Sequence, residues 1–223
     1  MILFGSALSP YARKCIVVAA EKGVELEVRS TGRGNPDPQF LAASPFRKMP
    51  ALVDGDFTLA DSSAIVHYIE AKHPEPVLIP SEPRARGQVI WFDEFADTIL
   101  FECGRTMFFN RVVAPLFFGR EGDLEAADKA EREQLPVALD YLEKVVPDGN
   151  GYLVGDRLTL ADIAVASPFA NFRHLDYAID QDRHGRVAAY VDRILARPAF
   201  ADSFALEQRF LSAARTQAAK ASA

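Results

Sequence analysis

A serine before a proline, a Lys-Met-Pro triplet and an Asp-Ser pair are the places in this chain where residue types and spacing could do chemistry. Ser9-Pro10 precedes a run beginning at Tyr11 that reads as a helix, so the Ser9 hydroxyl falls where a helix leaves its first N–H groups unpaired and its dipole end positive. That place favours an anion. Ser followed by Pro is also the preferred cap and first residue of a helix, worth about 1 kcal/mol, and local pattern allows both uses. Lys48-Met49-Pro50 stands ahead of a short apolar run. A cis bond before Pro50 would turn the Met49 N–H and C=O outward for an extended peptide to pair with, although only about 5–6% of such bonds are cis. At Asp61-Ser62, which opens another helical run, a hydroxyl and free N–H groups can hold a carboxylate while the Asp carboxylate takes an ammonium. Helix capping is the competing use there. Each group lies beyond a strand end or at a helix start, where open α/β folds build ligand sites.

The elements that must position these groups change character near residue 80. Ile2–Phe4 reads as a buried strand, 11–22 as a helix stopped by Gly23, and Glu25–Arg29 as a second strand with Val24, Leu26 and Val28 on one face. A short helical piece at 39–43 follows a loop over 31–38. Ala51–Val53 and Phe57–Leu59 flank Asp54-Gly55-Asp56, a strong hairpin signal, and a helix over 62–71 closes the region. Residues 74–83 carry four prolines and read as a linker. Beyond it the period is helical: Phe92, Phe95, Ala96, Ile99 and Cys103 share one face against Asp93, Glu94, Asp97 and Glu102. Further helices are predicted over 124–146, 161–172 and 186–196, with a break at Arg197-Pro198 and a fraying Ala-rich tail after Ser212. Thr159 and Asp162 imitate a capping box, with Leu158 and Ile163 as its hydrophobic staple, which is a folding signal.

In their order and spacing, four segments resemble the cytosolic glutathione transferases. They are Ser9–Arg13 with Ala20–Gly23, Ser44–Pro50, Leu59–Ile65 and Asp156–Ala164. The resemblance implies a thioredoxin-like α/β N-terminal domain over residues 1–78 that binds glutathione. It also implies an all-α C-terminal domain over 87–223 that forms the pocket for a second substrate. By position, Ser9 corresponds to the hydroxyl that serine-type members, such as the bacterial, tau and zeta enzymes, present to the glutathione sulfur. Met49 and Pro50 fall at the cis-proline element that pairs with the cysteinyl unit. Lys48 falls at the residue that meets the glycyl carboxylate, Ser62 at the grip on the γ-glutamyl carboxylate, and Asp61 at the partner of its ammonium. Tyr11, Met107, Phe108 and Phe109 fall on the wall of the second pocket. Two departures stand out: the acid is more often Glu or Gln than Asp61, and Arg47 stands where many relatives have Gly.

The implied activity is a detoxifying attack of glutathione thiolate on a hydrophobic electrophile by a cytoplasmic homodimer, with isomerisation, ether cleavage and dehalogenation as related outcomes. The alternative is a non-catalytic binding or carrier protein on the same fold. Free thiols ionise near pH 8.5, so lowering the pKa of the bound thiol is the chemical task.

Composition narrows the field. The 223 residues carry a net charge of −6, which disfavours nucleic acid as a partner. Cys15 and Cys103 lie far apart in apolar surroundings and suggest neither a disulfide framework nor a zinc site. In the resembled family the omega members, which favour thiol–disulfide exchange, carry a cysteine at the position of Ser9, so the resemblance implies that this chain does not work in that way. The four histidines have no metal-ligand spacing, so no metal is expected. The greasy stretch 107–118 is broken by Asn110, Arg111 and Pro115, is too short to span a bilayer, and is expected to kink or end at Pro115.

Overall fold

Alternation along short strands explains how the first half is layered. In the computed structural model, which describes residues 1–6, 8–31 and 37–221, β1 (Ile2–Phe4) leads to α1 (Pro10–Glu21) and β2 (Glu27–Arg29). After α2 (Pro38–Ala43) come β3 (Ala51–Asp54), β4 (Phe57–Ala60) and α3 (Ser62–Lys72). The sheet order is β2-β1-β3-β4, with β1 and β2 parallel and the other pairs antiparallel. Leu3 faces Leu52 across the ladder, and both sink into the main core with Ala12, Cys15, Ile65 and Ile69 of α1 and α3. Phe4, one residue on, points to the opposite face and packs with Phe40 and Ala43 of α2. The hairpin turns at Gly55, whose φ of 64° suits a residue without Cβ.

β2 is shorter than the period-2 pattern predicts, and Val28 is 43% exposed. It is an edge strand, so the cover that buries its register partner Leu3 does not extend to it.

The second half is helical among the described residues. α4 (Pro83–Phe95), α5 (Phe101–Phe108) and α6 (Ala114–Phe118) form one path, joined by wide π-type turns at 96–100 and 109–113. Pro115 does not end this path: the helix runs on past it to Phe118, with the wide turn at 109–113 lying just before it. The helix stops instead at left-handed Gly119. A third wide turn at 130–134 divides the helix expected over 124–146 into α7 (Leu124–Lys129) and α8 (Leu135–Val145). α9 (Leu160–His174) runs through the centre, with α10 (Gln181–Leu195) and α11 (Pro198–Ala221) after it. Of the tail expected to fray after Ser212, residues 213–221 are the last part of α11 and the final two lie outside the described residues, and Pro198 starts that helix.

Asp162 shows why α9 can begin inside the core. Its buried carboxylate accepts from the backbone N–H of Leu153 and of Thr159, both at 2.9 Å, from Thr159 Oγ1 at 3.1 Å and from the Tyr190 hydroxyl at 2.7 Å. Burial pushes its pKa up against these bonds. Asp162→Ala strands buried donors and is expected to cost about 3 kcal/mol or more, read from urea unfolding.

Candidate functional site

Ser9 closes the connection from β1 to α1 with extended backbone (φ −83°, ψ 121°) and caps the helix, while Pro10 takes its first turn. The cap bond is long: Ala12 N–H donates to Ser9 Oγ at 3.4 Å. Among the described residues nothing accepts the hydroxyl's own hydrogen. Ser9 borders a cavity of about 710 Å³ walled by Leu8, Phe101, Phe108, Phe109, Phe117 and Phe210.

A second cavity, of about 780 Å³, takes Ser44, Lys48, Met49, Pro50, Asp61 and Ser62 from the sheet half and Glu94, Asp97 and Thr98 from the helical half. Tyr11 and Met49 line both cavities, so the two adjoin there. The Met49–Pro50 bond is cis. The Ser44 hydroxyl donates to the Lys48 carbonyl at 2.7 Å and accepts from the Lys48 N–H at 2.9 Å, bracing the loop. Within this loop Arg47 adopts a φ of 56°, a left-handed position that favours Gly. Asp61 has a φ of 82°, also strained for a residue with Cβ, and its Oδ1 caps α3 by accepting from Ser63 N–H (2.9 Å) and Ala64 N–H (3.2 Å). Capping engages one carboxylate oxygen, while Asp61 still lines the cavity. Ser62 follows as the first, buried residue of α3.

Beneath Ser62 lies a polar cluster that helical periodicity did not reveal. Lys14, sealed from water, donates to Asp93 Oδ1 and Asp97 Oδ2, both at 2.6 Å, and to Ser63 Oγ at 3.1 Å. Ser62 Oγ donates to Asp97 Oδ2 at 3.5 Å, and the Tyr11 hydroxyl donates to the Asp97 carbonyl at 3.1 Å. Burial raises the Tyr11 pKa to about 12, so this phenol keeps its proton and spends it on Asp97. In sequence, Asp93 and Asp97 read as part of the polar side opposite the apolar face of a helix. The available signal was their i,i+4 spacing, which can grip one cation from one side.

One expected pocket residue is elsewhere. Met107 is fully buried in the main core: Phe108 and Phe109 reach the cavity, and Met107 lies about 200° around the helix from Phe109, on the side facing the core. Phe101 lies edge-on to Tyr11 with ring centres 4.9 Å apart, and Arg105 also lines the wall. Cys15 is fully buried and its thiol is raised to about 12 by burial, while burial raises Cys103 to about 11, so neither is poised as a nucleophile. Among the described residues no cluster of His, Cys, Asp and Glu could hold a metal ion.

Residues 3–77 match the family model for the glutathione S-transferase N-terminal domain, and residues 105–198 match that for its C-terminal domain. Glutathione S-transferase 3 of Zea mays is 34% identical over 89% of this chain and 90% of its own length. The chain belongs to the glutathione S-transferase family. Glutathione S-transferase F10 of Arabidopsis thaliana is 33% identical over 85% of this chain and 89% of its own. A solved glutathione S-transferase-I bound with lactoylglutathione superposes with a TM-score of 0.82 at 25% identity, covering 92% of this chain and 98% of that one.

The polar cluster in this glutathione transferase makes a pH prediction. The Asp97 carboxyl is pushed up to about 6, chiefly by burial, with Asp93 and Asp61 adding to the rise and Lys14 opposing it. A raised carboxyl holds its proton more tightly in the folded state. Its contribution to stability is therefore complete below the ordinary value of 3.8 and is lost as the pH rises through about 6. The stability advantage of wild type over Asp97→Asn is expected to shrink by about 2–3 kcal/mol between about pH 4 and pH 7, read from urea unfolding at stepped pH.

Proposed function

We propose that this glutathione transferase binds glutathione in the cavity between Lys48 and Ser62 and uses the Ser9 hydroxyl to stabilise its thiolate. The observation that carries the reading is the Ser9 hydrogen: it has no acceptor in the described fold and sits at the positive end of α1, beside the junction of the two cavities. A hydroxyl donor and a helix N-terminus both favour the charged form of sulfur, so the thiol ionises below its free value of about 8.5. The thiol proton passes to solvent. The sulfur lone pair then forms a bond to an electrophilic carbon held among the phenylalanines, and the leaving group departs with its electron pair. Ser9 donates and forms no covalent bond.

The grips follow from charge. Lys48 meets the glycyl carboxylate, and the Ser62 hydroxyl with the N-terminus of α3 meets the γ-glutamyl carboxylate. Asp61, through the oxygen that capping leaves open, meets the ammonium, with Asp97 lining the same recess. The Met49 backbone pairs with the cysteinyl unit. Tyr11, Phe108 and Phe109 wall the electrophile's pocket, together with Phe101 and Phe117.

A homodimer is part of the proposal. Phe46, on the Lys48 loop, is 86% exposed, and a groove of about 620 Å³ between α4 and α8 presents the exposed Trp91, Ile99 and Val137. A second copy would cover both. The proposed setting is cytoplasmic: both cysteines are free, and no helix among the described residues is long and apolar enough to cross a membrane.

Titrating thiolate absorbance with glutathione bound tests the reading, and ionisation at the free value would overturn it in favour of a carrier. Ser9→Ala is expected to cut turnover by about tenfold or more while costing about 1 kcal/mol of stability as a lost cap. Ser62→Ala is expected to raise KM for glutathione more than it lowers kcat, a split that steady-state kinetics at varied glutathione resolves.

A further inference from the structure

We propose that Asn171 and Ser167, on α9, are positioning residues for Ser9, held in place by a buried Arg13–Glu207 ion pair that reaches the C-terminal helix. The proposal rests on the reading of Ser9 as the donor to sulfur. The carbonyls of the two residues that flank Ser9, Leu8 and Pro10, are both tied to one helix. Asn171 Nδ2 donates to the Leu8 carbonyl at 2.9 Å, and Ser167 Oγ donates to the Pro10 carbonyl at 2.9 Å. Residues 167 and 171 are one helical turn apart and share a face of α9, and both are buried. Local structure alone leaves Ser9 with a single turn bond behind it, from its N–H to the Ser6 carbonyl, and the helix ahead. The two bonds from α9 fix the chain at Leu8 and Pro10, and so fix the direction in which the Ser9 Cβ and hydroxyl project.

An amide can flip, and a flipped Asn171 would present oxygen to the Leu8 carbonyl. Arg13 prevents this. Its Nη1 donates to Asn171 Oδ1 at 2.9 Å and to the Ser167 carbonyl at 2.6 Å. A guanidinium has only donors, so the amide must turn its oxygen to Arg13 and its nitrogen to Leu8. Arg13 is in turn clamped by Glu207 of α11, Nε to Oε1 and Nη2 to Oε2, both at 2.7 Å, with neither side chain exposed. Ser203 Oγ donates to Glu207 Oε1 at 3.1 Å, and His174 Nε2 lies 2.8 Å from Oε2. The Arg13–Glu207 fork joins α11 to α1, beside the apolar contacts of Phe200, Phe204 and Leu211. The bonds from Asn171 and Ser167 go further, to the backbone around the proposed donor. Misplacing a reacting group by about 1 Å can cost on the order of a hundredfold in rate, so these bonds matter to turnover beyond their stability.

The test compares wild type with Ser9→Ala, Asn171→Ala, Ser167→Ala and Ser167→Thr, measuring kcat, KM for glutathione and the ionisation of bound glutathione by thiolate absorbance. Asn171→Ala and Ser167→Ala are expected to lower kcat by about tenfold, to leave KM within about twofold, and to move the bound thiol's ionisation up toward the free value. Ser167→Thr keeps the hydroxyl and is expected to restore both. If Asn171→Ala fails to fold, Ser167→Ala, which loses one oxygen atom, decides the matter. Alanine variants that are less stable yet retain wild-type kcat and thiol ionisation, while Ser9→Ala loses both, would overturn the positioning role and leave the Ser9 reading standing. A wild-type protein that leaves the bound thiol at its free value would overturn the Ser9 reading, and the positioning role with it.

Discussion

Placing an ammonium out of water costs several kcal/mol unless carboxylates and hydrogen bonds surround it, and Lys14 is placed in that way. Its neighbours come from both halves of the molecule: Ser63 from α3 in the sheet half, Asp93 and Asp97 from α4 and the wide turn that follows it. Separating the halves would leave the ammonium with Ser63 alone and take Asp93 and Asp97 away from it. The junction at the second cavity is therefore held by electrostatics as much as by apolar packing. Burial lowers the Lys14 pKa, but Asp93 and Asp97 raise it further, and the net direction is up.

Arg13 precedes Lys14 and points elsewhere. Consecutive residues on a helix project about 100° apart, so α1 presents one cation to α4 and another to α9 and α11. With Leu3 and Leu52 beneath it, α1 is gripped from the sheet and from two sides of the helical half. Its N-terminus is Ser9. A helix held on three sides has little freedom to tilt, and the placement of that hydroxyl follows from contacts far from it in the chain.

How much of this could be read from the residues depends on the range of the interaction responsible. The β-α-β unit, the Asp-Gly hairpin and the Thr159–Asp162 box were legible because their signals sit within a few residues of one another. Asp93 and Asp97 misled because helical periodicity separates polar from apolar without saying whether the polar side meets water or a buried lysine. Glu207 pairs with a residue 194 positions away and sits in a segment whose proline looked like a break, so neither it nor α11 could be inferred locally. Met107 failed for a simpler reason. A run of neighbouring apolar residues cannot all face one cavity when each step turns the helix by 100°.

The capping and chemical readings of Ser9 looked like competitors in the sequence, and the hydroxyl's valence removes the competition. A hydroxyl has one hydrogen to give and two lone pairs to receive. The cap uses a lone pair, accepting from Ala12 at 3.4 Å, and leaves the hydrogen free. Asp61 divides its work in the same manner, with Oδ1 on two backbone N–H groups and Oδ2 uncommitted to the cap. In both residues the capping bond holds the side chain in one orientation before a ligand arrives, which lowers the entropy lost on binding. A residue type favoured for helix starts is thus also suited to hold an anion or a cation there, since the interaction that stabilises the helix aims the remaining atom at the ligand.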